Sequence, residues 1–235
     1  MFGALCAANV AFDGDFVRNI ASPRSARSVF DDLSDDPADW ELAASAEAVS
    51  RSTAPDPVIV EPFDFGSVVT YSFDPSNWQA TRFSDARRYA AWYGSLDVAT
   101  TVYETLFHWH RFLADSYAGV DRVIIAERTV FDVRCHAVLV DLRGKEIDYP
   151  DLISRTSYAF TQALGAFVHD QGLNGVVVRS ARCDGVNAAI LQAARLSNVR
   201  ERTQLRYRCN PAVDLCMVEQ VDGARWMQVV PSSLG

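Results

Sequence analysis

No stretch of this chain approaches the roughly 18 uninterrupted apolar residues of a membrane span, so no membrane-spanning helix is expected. The opening Met1-Phe2-Gly3-Ala4-Leu5-Cys6 is apolar but lacks a basic start, and Asp13 and Asp15 follow soon after, which argues against a signal peptide. A basic excess is missing too. Against 22 Lys and Arg stand 30 Asp and Glu, a net charge of -8, which argues against a broad basic face for nucleic acid. The five cysteines, Cys6, Cys135, Cys183, Cys209 and Cys216, form no C-x-x-C and are odd in number. That pattern suits reduced thiols in a cytoplasm, not a disulfide framework or a zinc site. His108 and His110 lie two apart and cannot share a helix face, so no metal site is expected. There is no P-loop, G-x-G-x-x-G, G-x-S-x-G elbow, internal repeat or low-complexity tract.

What the chain does have is the makings of a core. With 235 residues, 49% hydrophobic and 22% charged, it suits one large domain, or one domain with an N-terminal extension. Residues 16 to 51 read as helical, with Phe16, Ile20, Val29, Leu33, Trp40 and Leu42 interrupted by Pro23 and Pro37. Three prolines between 51 and 62 mark a linker, so a helical extension over 1–62 is expected to pack on a domain over 63–235. The spacing predicts a helix from about Leu96 to Ala114 with Asp97 as its cap, and another from Ser154 to Gln171 closed by Gly172. Strand-like runs occur at 123–126, 137–140, 175–178, 188–191, 205–209, 215–219 and 226–230. Helices and short strands mix without regular alternation, which predicts an α+β fold: a compact mixed sheet with flanking helices.

Three short pieces carry chemistry. Arg82, Tyr93 and Glu104 fall 11 residues apart each time, and Ser180 follows at the end of an apolar strand, between Arg179 and Arg182. On the first helix Val98, Val102, Leu106, Trp109 and Leu113 line one face, and Glu104 points nearly opposite, among Thr100, Tyr103, Phe107, His108 and Arg111. Two large aromatics beside a carboxylate suggest a covered face; a solvated Glu104–His108 pair is the plainer alternative, worth about 0.2–0.5 kcal/mol. Arg82 has the planar fork that grips phosphate, or it is a surface arginine paired with Asp85. Tyr93 is a core aromatic or a ring that stacks on a flat heterocycle. Ser180 contacts a phosphate or ribose, or simply closes the strand into a turn.

In their order these pieces resemble the RES domain family, named for its arginine, glutamate and serine. Thr81-Arg82-Phe83-Ser84-Asp85 is similar to the family's arginine segment, Ala91-Trp92-Tyr93-Gly94 to its tyrosine segment, and Thr100-Thr101-Val102-Tyr103-Glu104 with His108 to its glutamate helix. Tyr158-x-x-x-Gln162-Ala163-Leu164-Gly165, then Gly172-x-x-Gly175 through Arg179-Ser180-x-Arg182, resembles the late half. The resemblance spans roughly 65–210 and implies a fold like that of ADP-ribosyltransferases. It implies a cytoplasmic bacterial toxin that breaks the nicotinamide–ribose bond of NAD, by hydrolysis, phosphorolysis or transfer of ADP-ribose. NAD would be a substrate, with no cofactor and no metal. An Xre-type helix-turn-helix antitoxin would neutralise the toxin, and a homodimer is left open.

By position, Glu104, Arg82, Tyr93 and Ser180 become the catalytic set, and Arg82, Tyr93, Ser180, Arg182 and Tyr71 the substrate contacts. Glu104 would stabilise an oxocarbenium-like transition state, Arg82 hold the diphosphate, Tyr93 stack on nicotinamide and Ser180 fix ribose or phosphate oxygens. Two departures stand out. The glycine usual before the arginine is replaced by Ala80-Thr81, and the stretch matched to an arginine-bearing early strand, Val69-Thr70-Tyr71-Ser72-Phe73, has no arginine. A module that kept the fold and lost catalysis, or a nucleosidase acting on another N-glycoside, are the competing readings.

Overall fold

The sheet begins where a helix was expected. The structure, a computed structural model, describes residues 2–22, 66–116, 121–220 and 223–235. Its elements open with α1 (Phe2–Leu5), β1 (Asn9–Ala21), α2 (Ser67–Thr70), β2 (Trp92–Ser95), α3 (Val98–Ser116) and β3 (Ile124–Asp141). They continue with α4 (Ala159–Asp170), β4 (Gly175–Arg179), β5 (Val186–Ile190), β6 (Leu196–Asn210), β7 (Leu215–Gln220) and β8 (Arg225–Val229). Residues 1–21 and 65–235 belong to one compact unit. Among the described residues no helix is long and apolar enough to cross a membrane.

All eight strands join one sheet in the order β1-β2-β5-β4-β3-β6-β7-β8. Because β1 pairs with both β2 and β3, the strands β1, β2, β5, β4 and β3 close on themselves. The β3–β4 pair is parallel, spanned by α4, and the other pairs are antiparallel. This is an α+β fold with a mixed sheet and flanking helices.

Two expectations fail for one reason. Residues 16–21 are strand, not helix, and β3 runs unbroken through the charged residues that separate the runs at 123–126 and 137–140. All 13 residues of β1 pair with β3, so a long-range ladder outweighs a weak local helical pattern. The charges inside β3 find partners on neighbouring strands: Arg134 with Asp13 at 2.6 Å, Asp132 with Arg202 at 3.2 Å and Glu127 with Arg206 at 2.9 Å. Residues 9–21 are therefore part of the sheet, and the segment before residue 22 belongs to the same unit as the rest of the described chain and not to a separate extension. The helical reading of 23–51 and the linker at 51–62 lie outside the described residues. Val69–Phe73, matched above to an early strand, begins in the short helix α2.

Other expectations hold closely. Asp97 Oδ1 accepts the Thr100 amide at 2.8 Å and caps α3. Gly172 adopts the left-handed conformation just beyond α4, with φ of 68°. That helix starts five residues later than expected, because Ser154 Oγ accepts the amides of Thr156 and Ser157 and holds them in a turn.

Two apolar clusters sit beside the sheet. Val102, Leu106, Phe107 and Leu113 of α3 pack on Leu205, Tyr207, Cys209, Cys216 and Val218 of β6 and β7. Leu164 and Val168 of α4 pack on Phe83, Leu142, Leu152, Val176 and Val178. Each fully buried leucine contributes about 1.5–3 kcal/mol. The second cluster depends on a close approach: a Cβ at Gly165 would overlap the Phe83 carbonyl oxygen and lie 2.9 Å from the Tyr89 hydroxyl. Gly165→Ala should therefore cost about 1–3 kcal/mol by overpacking. A thermal melt lowered by several degrees is expected; an unchanged melt would mean that α4 does not lie this close to the Phe83 loop.

Candidate active site

Glu104 sits on α3 where three segments meet. Its Oε1 accepts the Ser180 hydroxyl and the Asn187 side-chain amide, both at 2.6 Å. Ser180 is set in turn by the backbone: its Oγ accepts the N–H groups of Arg182 at 3.0 Å and Cys183 at 3.3 Å. Asn187 on β5 lies opposite Ser95 on β2, and its Oδ1 accepts the Ser95 hydroxyl at 2.6 Å. The approach is close because residue 185 is glycine; a Cβ there would overlap the Thr100 hydroxyl on α3. Glu104 Oε2 has no hydrogen-bond partner among the described residues. One carboxylate oxygen is pinned and the other is not.

Glu104 lines a cleft of about 820 Å³ whose wall also includes Arg18, Arg82, Arg128 and Arg179. It is the one carboxylate among the described lining residues. Tyr71, Tyr93, Tyr158, His108 and Trp109 supply ring surface. A smaller hollow of about 310 Å³ beside Phe12 and Val138 shares none of these residues. Arg82 does not pair with Asp85. Its guanidinium stacks on Tyr158 at 4.7 Å, and Nη1 donates to the Ser154 carbonyl at 2.9 Å. The Tyr93 hydroxyl meets Thr81 Oγ1 at 2.8 Å and accepts the Phe83 amide at 2.9 Å, holding the loop on both sides of Arg82. Gln162 of α4 donates to the Thr81 carbonyl at 2.9 Å and ties the same loop from beneath.

The far wall carries two further cations. Arg18 of β1 donates to the Tyr93 carbonyl at 2.6 Å and lies over Trp92, while its Nε is buried without a partner. Burial and the nearby Arg128 lower its pKa to about 10. Arg128 of β3 donates to Asn19 Oδ1 at 3.0 Å, and burial lowers its pKa as well. Neither has a carboxylate partner among the described residues. His108, one helical turn beyond Glu104, stands at the cleft mouth. Desolvation by the surrounding protein holds it below the usual histidine range, against the smaller opposing pull of Glu104.

A family model described as RES domain matches residues 62–210. The chain belongs to the RES domain family. The solved structure of the M. tuberculosis MbcT–MbcA toxin–antitoxin complex contains a chain similar to it, at 11% identity and a TM-score of 0.46, over 90% of this chain and 91% of that chain. A search among curated proteins finds no match.

Of the residues picked out beforehand in this RES domain, Arg82, Tyr93, Glu104 and Tyr71 line one cleft, with Tyr71 on its rim and 61% exposed. Ser180 is buried behind Glu104 and is not among the lining residues. Arg182 is not among them either: it is buried, stacked on Phe107 and bonded to the Leu234 carbonyl, so it is not placed to grip a ligand. Arg18 was overlooked, although a lone cation in Phe16-Val17-Arg18-Asn19-Ile20 was a legible signal. It lies before the stretch that the RES family model matches, and its partner strand is 100 residues away in the chain or more. Arg18 thus brings a guanidinium to the cleft from the first strand, where Val69–Phe73 supplies none.

Burial pushes the Tyr93 phenol up from 10.0 to about 12, and Tyr89 and Tyr207 are raised for the same reason. A raised pKa means the fold favours the neutral phenol, so this stability is intact below pH 10.0 and lost as pH climbs toward about 12. Tyr93→Phe should strand the Phe83 amide and cost about 1–3 kcal/mol at neutral pH. The same variant should flatten the alkaline loss; an alkaline limb as steep as wild type in denaturant melts would contradict this role.

Proposed function

We propose that this protein is a toxin that depletes NAD by cleaving its nicotinamide–ribose bond, with Glu104 as the catalytic carboxylate. The observation that carries the reading is Glu104 itself: one oxygen held by Ser180 and Asn187, the other unpaired, in a cleft otherwise lined by arginines and aromatic rings. Three of the guanidiniums, Arg18, Arg82 and Arg128, have no carboxylate partner among the described residues and suit a diphosphate, which accepts bidentate hydrogen bonds from them. The fourth, Arg179, is paired with Asp184 and Glu146. A carboxylate among them does not help to bind an anion. It suits a cation that develops during reaction, which is what the ribose C1′ becomes as nicotinamide leaves.

In this scheme the C1′–N bond breaks and its electron pair goes to the pyridinium ring, releasing neutral nicotinamide. The Glu104 carboxylate stabilises the oxocarbenium-like centre, and an acceptor oxygen from water, phosphate or a protein side chain bonds to C1′ and gives up its proton to Glu104 Oε2. Arg82 and Arg18 hold the diphosphate, with Arg128 behind them, and the ring of Tyr93 or Tyr158 lies against the nicotinamide. Ser180 acts one step back, by orienting Glu104. Arg18 on the cleft weighs against a module that kept the fold and lost catalysis, because the best support for that reading was the arginine lacking at Val69–Phe73. Membership of the RES family supports the toxin role, and an Xre-type antitoxin is the partner proposed with it.

Glu104→Gln keeps the size and both hydrogen-bonding positions of the side chain but removes the charge. It should abolish nicotinamide release from NAD by the purified protein and relieve growth arrest on expression, with an unchanged thermal melt. Full NAD loss in this variant would sink the assignment, and cleavage of other nucleosides with NAD spared would favour the nucleosidase.

A further inference from the structure

We propose that Arg182 is a positioning residue for Glu104, and that the C-terminal turn Pro231–Leu234 is the brace that lets it act. The inference rests on the reading of Glu104 as the catalytic carboxylate. The Arg182 guanidinium lies 3.4 Å from the centre of the Phe107 ring, and Nη1 donates to the Leu234 carbonyl at 2.8 Å. Its own backbone N–H donates to Ser180 Oγ at 3.0 Å, and that hydroxyl donates to Glu104. Phe107 stands three residues beyond Glu104 on α3. A single arginine therefore joins the helix that carries the carboxylate, the hydroxyl that orients it and the end of the described chain.

A second arginine doubles the brace. Arg155 Nε donates to the Ala181 carbonyl at 3.1 Å, and its Nη1 donates to the Ser233 carbonyl at 3.3 Å. Leu234 is buried in the same apolar cluster as Leu106 and Phe107, so the turn is seated against α3 as well. All of this turn lies beyond residues 62–210, the stretch that the family model covers.

Stability alone does not account for this arginine. Arg182 is 4% exposed, its Nε has no hydrogen-bond partner, and no carboxylate lies within ion-pair distance among the described residues. A buried cation held only by Tyr158 and by the more distant pull of Glu104 is unfavourable, and an apolar side chain of similar size would fill the space without that penalty. What arginine adds is a flat face for Phe107 and a donor fixed in direction, which together set the Ser180 turn. Arg182 is outside the cleft lining, so its effect should reach the reaction through the groups it acts on, Ser180 and Glu104 first and Tyr158 beside them.

The test compares wild type, Arg182→Met, Ser180→Ala and the double variant, each checked by thermal melt. Arg182→Met keeps an unbranched apolar chain of similar length but removes both the guanidinium stacked on Phe107 and the donor to Leu234. For NAD cleavage it should lower kcat about tenfold or more with KM within about twofold, and the double variant should be no slower than Ser180→Ala alone. Amide hydrogen exchange at residues 182 and 183, whose N–H groups bond Ser180, should quicken about tenfold. Raised KM with unchanged kcat would return Arg182 to a substrate contact and overturn the proposal, as would effects that multiply in the double variant. If wild type does not consume NAD, the functional reading fails; exchange rates unchanged from wild type would then overturn the brace independently, and faster exchange would uphold it. Should Arg182→Met not fold, Arg182→Lys, which keeps the charge and loses the planar stack, carries the same comparisons with smaller effects.

Discussion

The pair of hydrogen bonds into one oxygen of Glu104 is the constraint around which this fold is arranged. Both are short, charge-assisted contacts to an ionisable group, the kind that fixes direction as well as adding stability. They require α3 to stand close to two strand ends at once. Asp97 sets where the helix begins, Gly185 lets the turn after β4 come against Thr100, and the β2–β5 register puts Asn187 opposite Ser95. Remove any of these and the carboxylate has a helix to sit on but no fixed orientation.

Around that point the electrostatics run against the rest of the molecule. The chain carries a net charge of -8, yet the described cleft wall holds four arginines and a single carboxylate. Arg18 and Arg128 are buried near one another with no acidic partner among the described residues, a tension that an anionic ligand would relieve. The Arg82 loop is held differently, by neutral contacts: the Tyr93 hydroxyl, the Gln162 amide and the bare face of Gly165. The guanidinium is thereby held without being neutralised, which suits the phosphate contact proposed for it.

Much of this was legible in residue order. The amphipathic pattern of 96–114 and its aspartate cap located α3, and the covered face implied by the aromatic flanks of Glu104 holds at Thr100 and Phe107, whereas His108 and Arg111 on the same face are exposed. The even spacing of Arg82, Tyr93 and Glu104 matched a real shared cleft. Less was legible where the pairing partner is far away. The strand β1 read as the start of a helix because its partner begins more than 100 residues later, and Arg18 went unnoticed with it. Arg182 and Ser180 were read as ligand contacts from their neighbourhood in the chain, yet both side chains turn inward, one to Leu234 and Phe107 and the other to Glu104.

The amino-acid sequence by itself determined the fold class, the helix that carries Glu104 and the order of the motif residues, because periodicity, caps and turn residues act over a few positions along the chain. Only the tertiary structure decided which side chains face the cleft and which stand behind it. That choice depends on strand register and close approach between distant segments, where one residue of shift turns a side chain to the opposite face. So Glu104 could be named from its spacing, whereas the hydroxyl, amide and buried arginine that give it a direction became visible only once β2, β5 and the C-terminal turn were brought against α3.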